Sequence, residues 1–288
     1  MTRLCLLIFY VLLCGNLFSI RLPISNPKLT STFGESRSDH FHNGIDFGGG
    51  EQSVYPFMKG KIIFYYDKKE FPFDNYMGPG NMVIVQHNYK YRSYYFHLKE
   101  GTINKKDFGV SETNILGKTG DTGHSMGIHL HFTIEKLNPP EVLNPLKFFK
   151  DFLNDKIKPT IQGFYIKIGQ GETILVNSNI HIKKRAKLVL ILKCFDLCKI
   201  NGNRMGVYKI VCYINNEKFT NFQFDKLVHK YNTYYLPPNF LFGDVYYSKN
   251  EYILGEFIPD NGTYKVKIIV SDYWGNTSKI ERNIIVKY

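Results

Sequence analysis

Cysteine is scarce and oddly numbered in this 288-residue chain, which has five. Cys5 and Cys14 fall in the first apolar run, which leaves Cys194, Cys198 and Cys212. An odd set of this kind does not build a complete disulfide framework. Cys194 and Cys198 either pair across a turn in an oxidising compartment or sit in the core as thiols. No Cys-x-x-Cys pair occurs, so a cysteine-ligated zinc ribbon is excluded. No second long apolar stretch follows Leu13, so no internal transmembrane helix is expected. Internal repeats, low-complexity tracts and heptads are absent. Acidic residues are in deficit: 25 Asp and Glu against 37 Lys and Arg give a formal charge of +12. A basic chain often means a nucleic-acid partner, but helix-turn-helix, zinc-finger and Arg-rich signatures are all missing. The excess charge suits an anionic polymer or membrane surface instead, with much of it simply solvated.

Hydrophobic residues make up 43% and charged residues 22%, so the chain should fold, and its length allows two ordinary cores. Met1-Thr2-Arg3 followed by the apolar run Leu4–Leu13 and small or polar residues from Gly15 to Ser19 reads as an export signal. An uncleaved membrane anchor is the alternative. Lipid attachment at Cys14 is disfavoured because Leu13, not a small residue, precedes it. Residues 1–19 are therefore expected to direct the chain out of the cytoplasm, to the periplasm or cell envelope.

Short strand-like runs recur after Ile20: Ser53–Phe57, Lys61–Tyr66, Asn81–His87, Tyr91–His97 and His129–Ile134, with Gly, Pro, Asn and Asp between them. The one expected helix covers Pro145–Asn154. Past Lys158-Pro159 histidine nearly disappears and alternating runs continue, including Leu188–Lys193, Tyr208–Ile214, Tyr264–Ser271 and Ile280–Lys287. The expected architecture is all-β and mainly antiparallel: a sheet domain over residues 20–154, then an Ig-like β-sandwich over 155–288. Asp272 and Asn276 suggest either a Ca²⁺ loop or, more simply, a capped β-turn.

Seven of the nine histidines lie between His40 and His131, which points to a metal or acid–base site in the first part. His42 and Asp46 stand four apart, on one face if the segment is extended. Gly44 lets the backbone turn closely around an ion. His129 and His131 share a strand face while Leu130 and Phe132 pack the other way. Two imidazoles and a carboxylate are the three-ligand set of catalytic zinc, which keeps one position open. His40, two residues before His42, is a rival ligand on spacing alone.

These residues occur in an order that resembles the lysostaphin/LytM-type zinc endopeptidases of cell-wall peptidoglycan. The resemblance spans about Leu29 to Phe149. It rests on Phe33-Gly34-Glu35-Ser36-Arg37 before His40-Phe41-His42-Asn43-Gly44-Ile45-Asp46, on Gly80-Asn81, Tyr95-Phe96-His97-Leu98, Gly117-Lys118-Thr119-Gly120 and Thr122-Gly123, and on His129-Leu130-His131-Phe132 with Asn144-Pro145-Leu146. It implies Zn²⁺ held by His42, Asp46 and His131, with His129 and His97 as catalytic histidines. It also implies hydrolysis of peptide cross-links or stem peptides of bacterial peptidoglycan. No His-Glu-x-x-His helix exists, so a histidine is the expected base. The alternative reading is a non-enzymatic relative that binds wall or activates another hydrolase. Thr133, Phe96 and His124 depart from the family pattern and are expected to affect substrate preference rather than the metal. No tyrosine lies between Ile20 and His42 to stabilise the transition state, and Arg37 is a candidate substitute. The rest of the chain, after about Pro159, is expected to position the enzyme and do no chemistry.

Overall fold

The computed structural model describes residues 19–74, 78–105, 108–197 and 202–288. The expected export segment, apart from its last residue, and Cys198 lie outside the described residues. Cys194 and Cys212 are buried free thiols.

The first part is built from strands β1 (Lys28–Ser31), β2 (Ile45–Gly48), β3 (Ser53–Val54), β4 (Gly60–Tyr66), β5 (Met82–Gln86), β6 (Tyr91–Phe96), β7 (Gly109–Val110), β8 (Gly117–Lys118), β9 (Leu130–Leu137) and β10 (Pro140–Leu143). In the main sheet β7, β4, β5, β6, β9 and β10 lie side by side, and β2 also pairs with β9 while β1 pairs with β2. β9 is the axis. Its alternation sends Leu130, Phe132 and Ile134 into the core at 0% exposure, as period-two side-chain geometry requires. His131 and Thr133 therefore emerge on the opposite face. Phe47, Phe57, Phe132 and Phe149 pack ring against ring below them.

The expected helix shrinks to one turn, Leu146–Phe149. Asn144 Oδ1 accepts the Leu146 N–H, which satisfies a donor at its start. Leu146 and Phe149 anchor it in the core, and the turn that follows leads to residues 154–159, which hold no strand. The proposed division of the chain falls in this stretch.

The second part is a two-sheet sandwich. One sheet contains Thr160–Ile168, Leu188–Leu197 and Glu251–Phe257 at its centre, and the other contains Lys209–Ile214, Gly262–Ser271 and Thr277–Val286. The strand Gly262–Ser271 buries Val266, Ile268 and Val270 and turns the residues between them outward. Pairing is antiparallel except where Ile180–Ile182 runs parallel to Thr277–Val286. Asp272 closes the turn before that last strand: its Oδ1 accepts the Asn276 N–H at 2.8 Å.

The two parts are not merely linked in sequence; they share a sheet. The strand Lys226–Lys230 pairs with β10, Val142 opposite Leu227 and Leu143 opposite Lys226, and Thr233–Tyr235 continues the sheet beyond it, which makes ten strands in all. Asn144 Nδ2 donates to Phe224 O at 2.9 Å, and Trp274 Nε1 donates to Leu153 O at 2.8 Å. Phe41 lies edge-on to Phe242 with 5.5 Å between ring centroids, and Tyr246 Oη donates to Gly34 O at 2.6 Å. Gly34 has φ +82°, and a Cβ there would fall 2.2 Å from Phe224 Cδ1, so only glycine permits this approach.

This junction decides what removal of the second part would do. A chain ending at Asn154 would expose Phe33, Phe41 and the unpaired edge of β10, an apolar patch beside an open strand. We predict that it aggregates, as size-exclusion chromatography would show. A soluble monomer that keeps its metal would instead establish the second part as a separable positioning module.

Candidate metal centre

The neighbours of β9 determine the site. In the strand register Asp46 of β2 lies opposite His131 on one side, and Phe96 of β6 lies opposite it on the other. His42 arrives from the turn before β2, where Gly34 N and His42 O, and His42 N and Glu35 O, bond at 2.8 Å each. Gly44 is needed between the two ligand candidates. A Cβ there would fall 2.5 Å from Phe132 O and 2.8 Å from His131 Nε2.

Three atoms converge. His42 Nε2 is 3.1 Å from Asp46 Oδ1 and 3.0 Å from His131 Nδ1, and His131 Nδ1 is 3.0 Å from Asp46 Oδ1. The opposite ring nitrogens carry the protons. His42 Nδ1 lies 2.8 Å from Thr32 O, a carbonyl that can only accept. His131 Nε2 lies 3.0 Å from Thr133 Oγ1. With both protons directed outward, two imidazole lone pairs and a carboxylate oxygen face one point. Such an arrangement is repulsive unless a cation occupies its centre. The edges of a zinc tetrahedron are roughly 3.3 Å for bonds of about 2.0–2.1 Å, so the spacing fits zinc with one position open. Among the described residues, His42, Asp46 and His131 form a buried group able to hold a metal. Burial works against the charge of Asp46, but the two imidazoles beside it hold its pKa well below the usual carboxylate range. Burial depresses His131 to about 4, although the Asp46 carboxylate beside it opposes the shift, and keeps its ring neutral and able to donate a lone pair at pH 7.

Support for the ligands comes from residues whose roles sequence reasoning assigned otherwise. Thr133 and Phe96 were expected to leave the metal untouched. The structure corrects this: Thr133 Oγ1 hydrogen-bonds the outer ring nitrogen of His131 at 3.0 Å, and Phe96 stacks on the His131 ring at 5.4 Å and 8°. Arg37 Nη2 donates to Asp46 Oδ2 at 2.7 Å and to Ser31 Oγ at 2.7 Å, which leaves Oδ1 for the metal. Glu35 links this group to the second part of the chain: its Oε1 accepts the Gly206 N–H at 3.0 Å, and its Oε2 lies 3.4 Å from Arg37 Nη1. The Glu35 and Gly206 signals were legible only as motif letters, because their partnership spans 171 residues.

The remaining histidines separate clearly. His40 is exposed and bonded to Asp39 at 2.6 Å, outside the group. His129 Nδ1 donates to Gly127 O at 2.8 Å, and its Nε2 faces Asp46 Oδ1 at 4.0 Å. His97 Nδ1 donates to Thr122 O at 2.7 Å, and its ring lies 4.7 Å from that of His129. His97 also takes a left-handed φ of +62°, a conformation that costs about 1–3 kcal/mol and is fixed by the surrounding chain. Burial, then repulsion from His131 and His129, holds its pKa at about 4. His97, His129, His131, Asp46 and Arg37 open into one cleft of about 1040 Å³. His124 lines it too, whereas His87 is half-buried away from it against Ser93.

Residues 40–145 match the model of Peptidase family M23, and a second family model without a descriptive name spans residues 158–287. Lysostaphin of Staphylococcus simulans is 28% identical over 112 residues, 38% of this chain and 21% of that protein. The peptidoglycan DD-endopeptidase ShyA of Vibrio cholerae serotype O1 is 32% identical over 94 residues, 32% of this chain and 20% of that protein. The chain thus spans about a fifth of the length of these relatives. The solved catalytic domain of Staphylococcus simulans lysostaphin superimposes with a TM-score of 0.36 at 28% identity, covering 43% of this chain and 93% of that one.

The donor geometry makes a quantitative expectation about the metal. We predict that His131→Ala loses most bound zinc by elemental analysis, and that Thr133→Val weakens zinc affinity by about 10–100-fold, the usual scale for a partner that orients a ligand. Full zinc retention in His131→Ala would place the metal elsewhere, with His40 the first alternative.

Proposed function

We propose that this chain, whose residues 40–145 carry a domain of Peptidase family M23, is an exported zinc endopeptidase that hydrolyses peptide cross-links or stem peptides of bacterial peptidoglycan. The convergence of His42 Nε2, Asp46 Oδ1 and His131 Nδ1 within 3.1 Å of one another carries the reading. The substrate class comes from the relatives, one of which is named for action on peptidoglycan. Export rests on the sequence of residues 1–19. Among the described residues no helix is long and apolar enough to cross a membrane.

Bound zinc supplies a Lewis acid that polarises a carbonyl and lowers the pKa of water. The chain's own residues handle the proton. His129, with Nδ1 committed to Gly127 O, offers Nε2 as the acceptor for the proton of the attacking water. Once protonated there, it is the donor for the departing amine. His97 carries its proton on Nδ1 toward Thr122 O and is neutral at pH 7, so Nε2 can only accept. That suits holding and orienting the water rather than donating to the oxyanion. Arg37 is engaged by Asp46 and Ser31, which makes it a positioning residue for the ligand carboxylate and leaves it less suited to replace the missing tyrosine. What favours this reading over the non-enzymatic alternative is that all five residues proposed as metal ligands and proton carriers are present and lie together.

Digestion of purified peptidoglycan with mass spectrometry of the released fragments tests the reading. The zinc-loaded chain is expected to release peptides, and failure to do so would leave the non-enzymatic alternative. His129→Ala should retain zinc and lose at least ~10²-fold in rate, and His97→Ala should behave similarly. Normal digestion by either variant would remove that histidine from the mechanism.

A further inference from the structure

The cleft over the metal site has a second wall that does not come from the peptidase motifs. Lys193, Arg204 and Lys249, together with Asn250, line it from the second part of the chain. They gather at one end of one sandwich sheet. Lys193 lies in the strand Leu188–Leu197 opposite Glu251, Arg204 pairs in register with Leu197 at the end of the same strand, and Lys249 sits in the turn before Glu251–Phe257. The opposite lip carries Met126 and Ile128, both exposed.

The charge on this wall is one-sided. Among the described residues, the only carboxylates lining the cleft are Asp46 and Glu35. Both are held by Arg37 and their own neighbours. Lys193 bridges to Glu251 at 2.9 Å. Arg204 lies over the Phe195 ring with its Cζ 4.5 Å from the ring centroid, a cation–π contact that holds the guanidinium at the cleft wall. Lys249 has no ion-pair partner among the described residues. A guanidinium and an ammonium on one wall suit a carboxylate, whose two oxygens a guanidinium can take as a pair.

We propose that Lys193, Arg204 and Lys249 form a carboxylate-binding subsite, so that the cleft selects peptides bearing free carboxyl groups over neutral peptides. This deepens the endopeptidase reading and rests on it for the reaction, but not for the binding. It gives the second part of the chain a share in substrate choice as well as in covering the first.

The test uses the full zinc-loaded chain and two probes: a synthetic cell-wall stem-peptide fragment with its carboxyl groups free, and the same fragment with them amidated. Calorimetry measures binding and a discontinuous assay measures cleavage. The free acid is expected to bind about 10-fold more tightly than the amide, with the preference shrinking as salt is raised. The double variant Arg204→Gln, Lys249→Gln should lose that preference while keeping zinc and its affinity for the amide. Both side chains are exposed, so folding should survive, and unchanged zinc content checks it. Equal affinity of the wild-type chain for the two probes, or a double variant that keeps the preference, overturns the subsite. Tighter binding of the acid without cleavage of either probe leaves the subsite standing and sinks the endopeptidase reading. Equal binding and cleavage of both does the reverse, and absence of both binding and cleavage rejects both.

Discussion

Three lone pairs directed at one point are the constraint around which this structure is organised. His42, Asp46 and His131 bring their acceptor atoms to about 3 Å of one another, a geometry that costs free energy in the absence of a cation. Holding it requires every other polar atom of those side chains to have a fixed partner. Thr32 O and Thr133 Oγ1 take the ring protons, and Arg37 takes the outer carboxylate oxygen. The sheet supplies the rigidity. β9 is flanked by β2 and β6 at the level of His131, and its other face is sealed by Phe132 against Phe57 and Phe149. Because the core is close-packed, the ring of His131 cannot shift without disturbing those contacts.

The second part of the chain reaches this site through one short path. Gly206 N–H bonds Glu35, Glu35 faces Arg37, and Arg37 bonds the ligand Asp46. The strand Lys226–Lys230 of the second part also extends the sheet of the first part at β10, and Phe224 fills the space left by Gly34. Cover and function are therefore not separate alternatives for this domain. The surface that buries Phe33 and Phe41 also delivers Lys193, Arg204 and Lys249 to the cleft.

His129 and His97, the two histidines proposed as catalytic, differ in surroundings but share a backbone constraint. Both donate Nδ1–H to a backbone carbonyl, Gly127 O for His129 and Thr122 O for His97, so both present Nε2. Their burial differs. Desolvation and two neighbouring imidazoles hold His97 neutral, with a pKa of about 4. His129 sits closer to solvent, with 17% of its side chain exposed. Two rings with the same tautomer thus differ in burial, which matches the separate roles proposed for them.

Patterns local in sequence were legible without a structure. The period-two alternation of Leu130-His131-Phe132-Thr133 fixed which residues of β9 face the core. The His42–Asp46 and His129–His131 spacings named the ligand candidates, and turn residues marked most strand ends. The sequence left His40 and His42 as rivals, because spacing cannot tell an exposed ring bonded to Asp39 from one clamped on Thr32 O. It overextended the helix after Pro145, since helix ends depend on what the core accepts. It misjudged Thr133 and Phe96, whose effects on His131 arise from strand geometry and cross-strand pairing. Alternation, spacing and composition act over a few residues and were determined by the sequence alone. The Glu35–Gly206 bond, the shared sheet at β10 and the basic wall of the cleft join residues far apart in the chain, and only tertiary packing decides such partnerships.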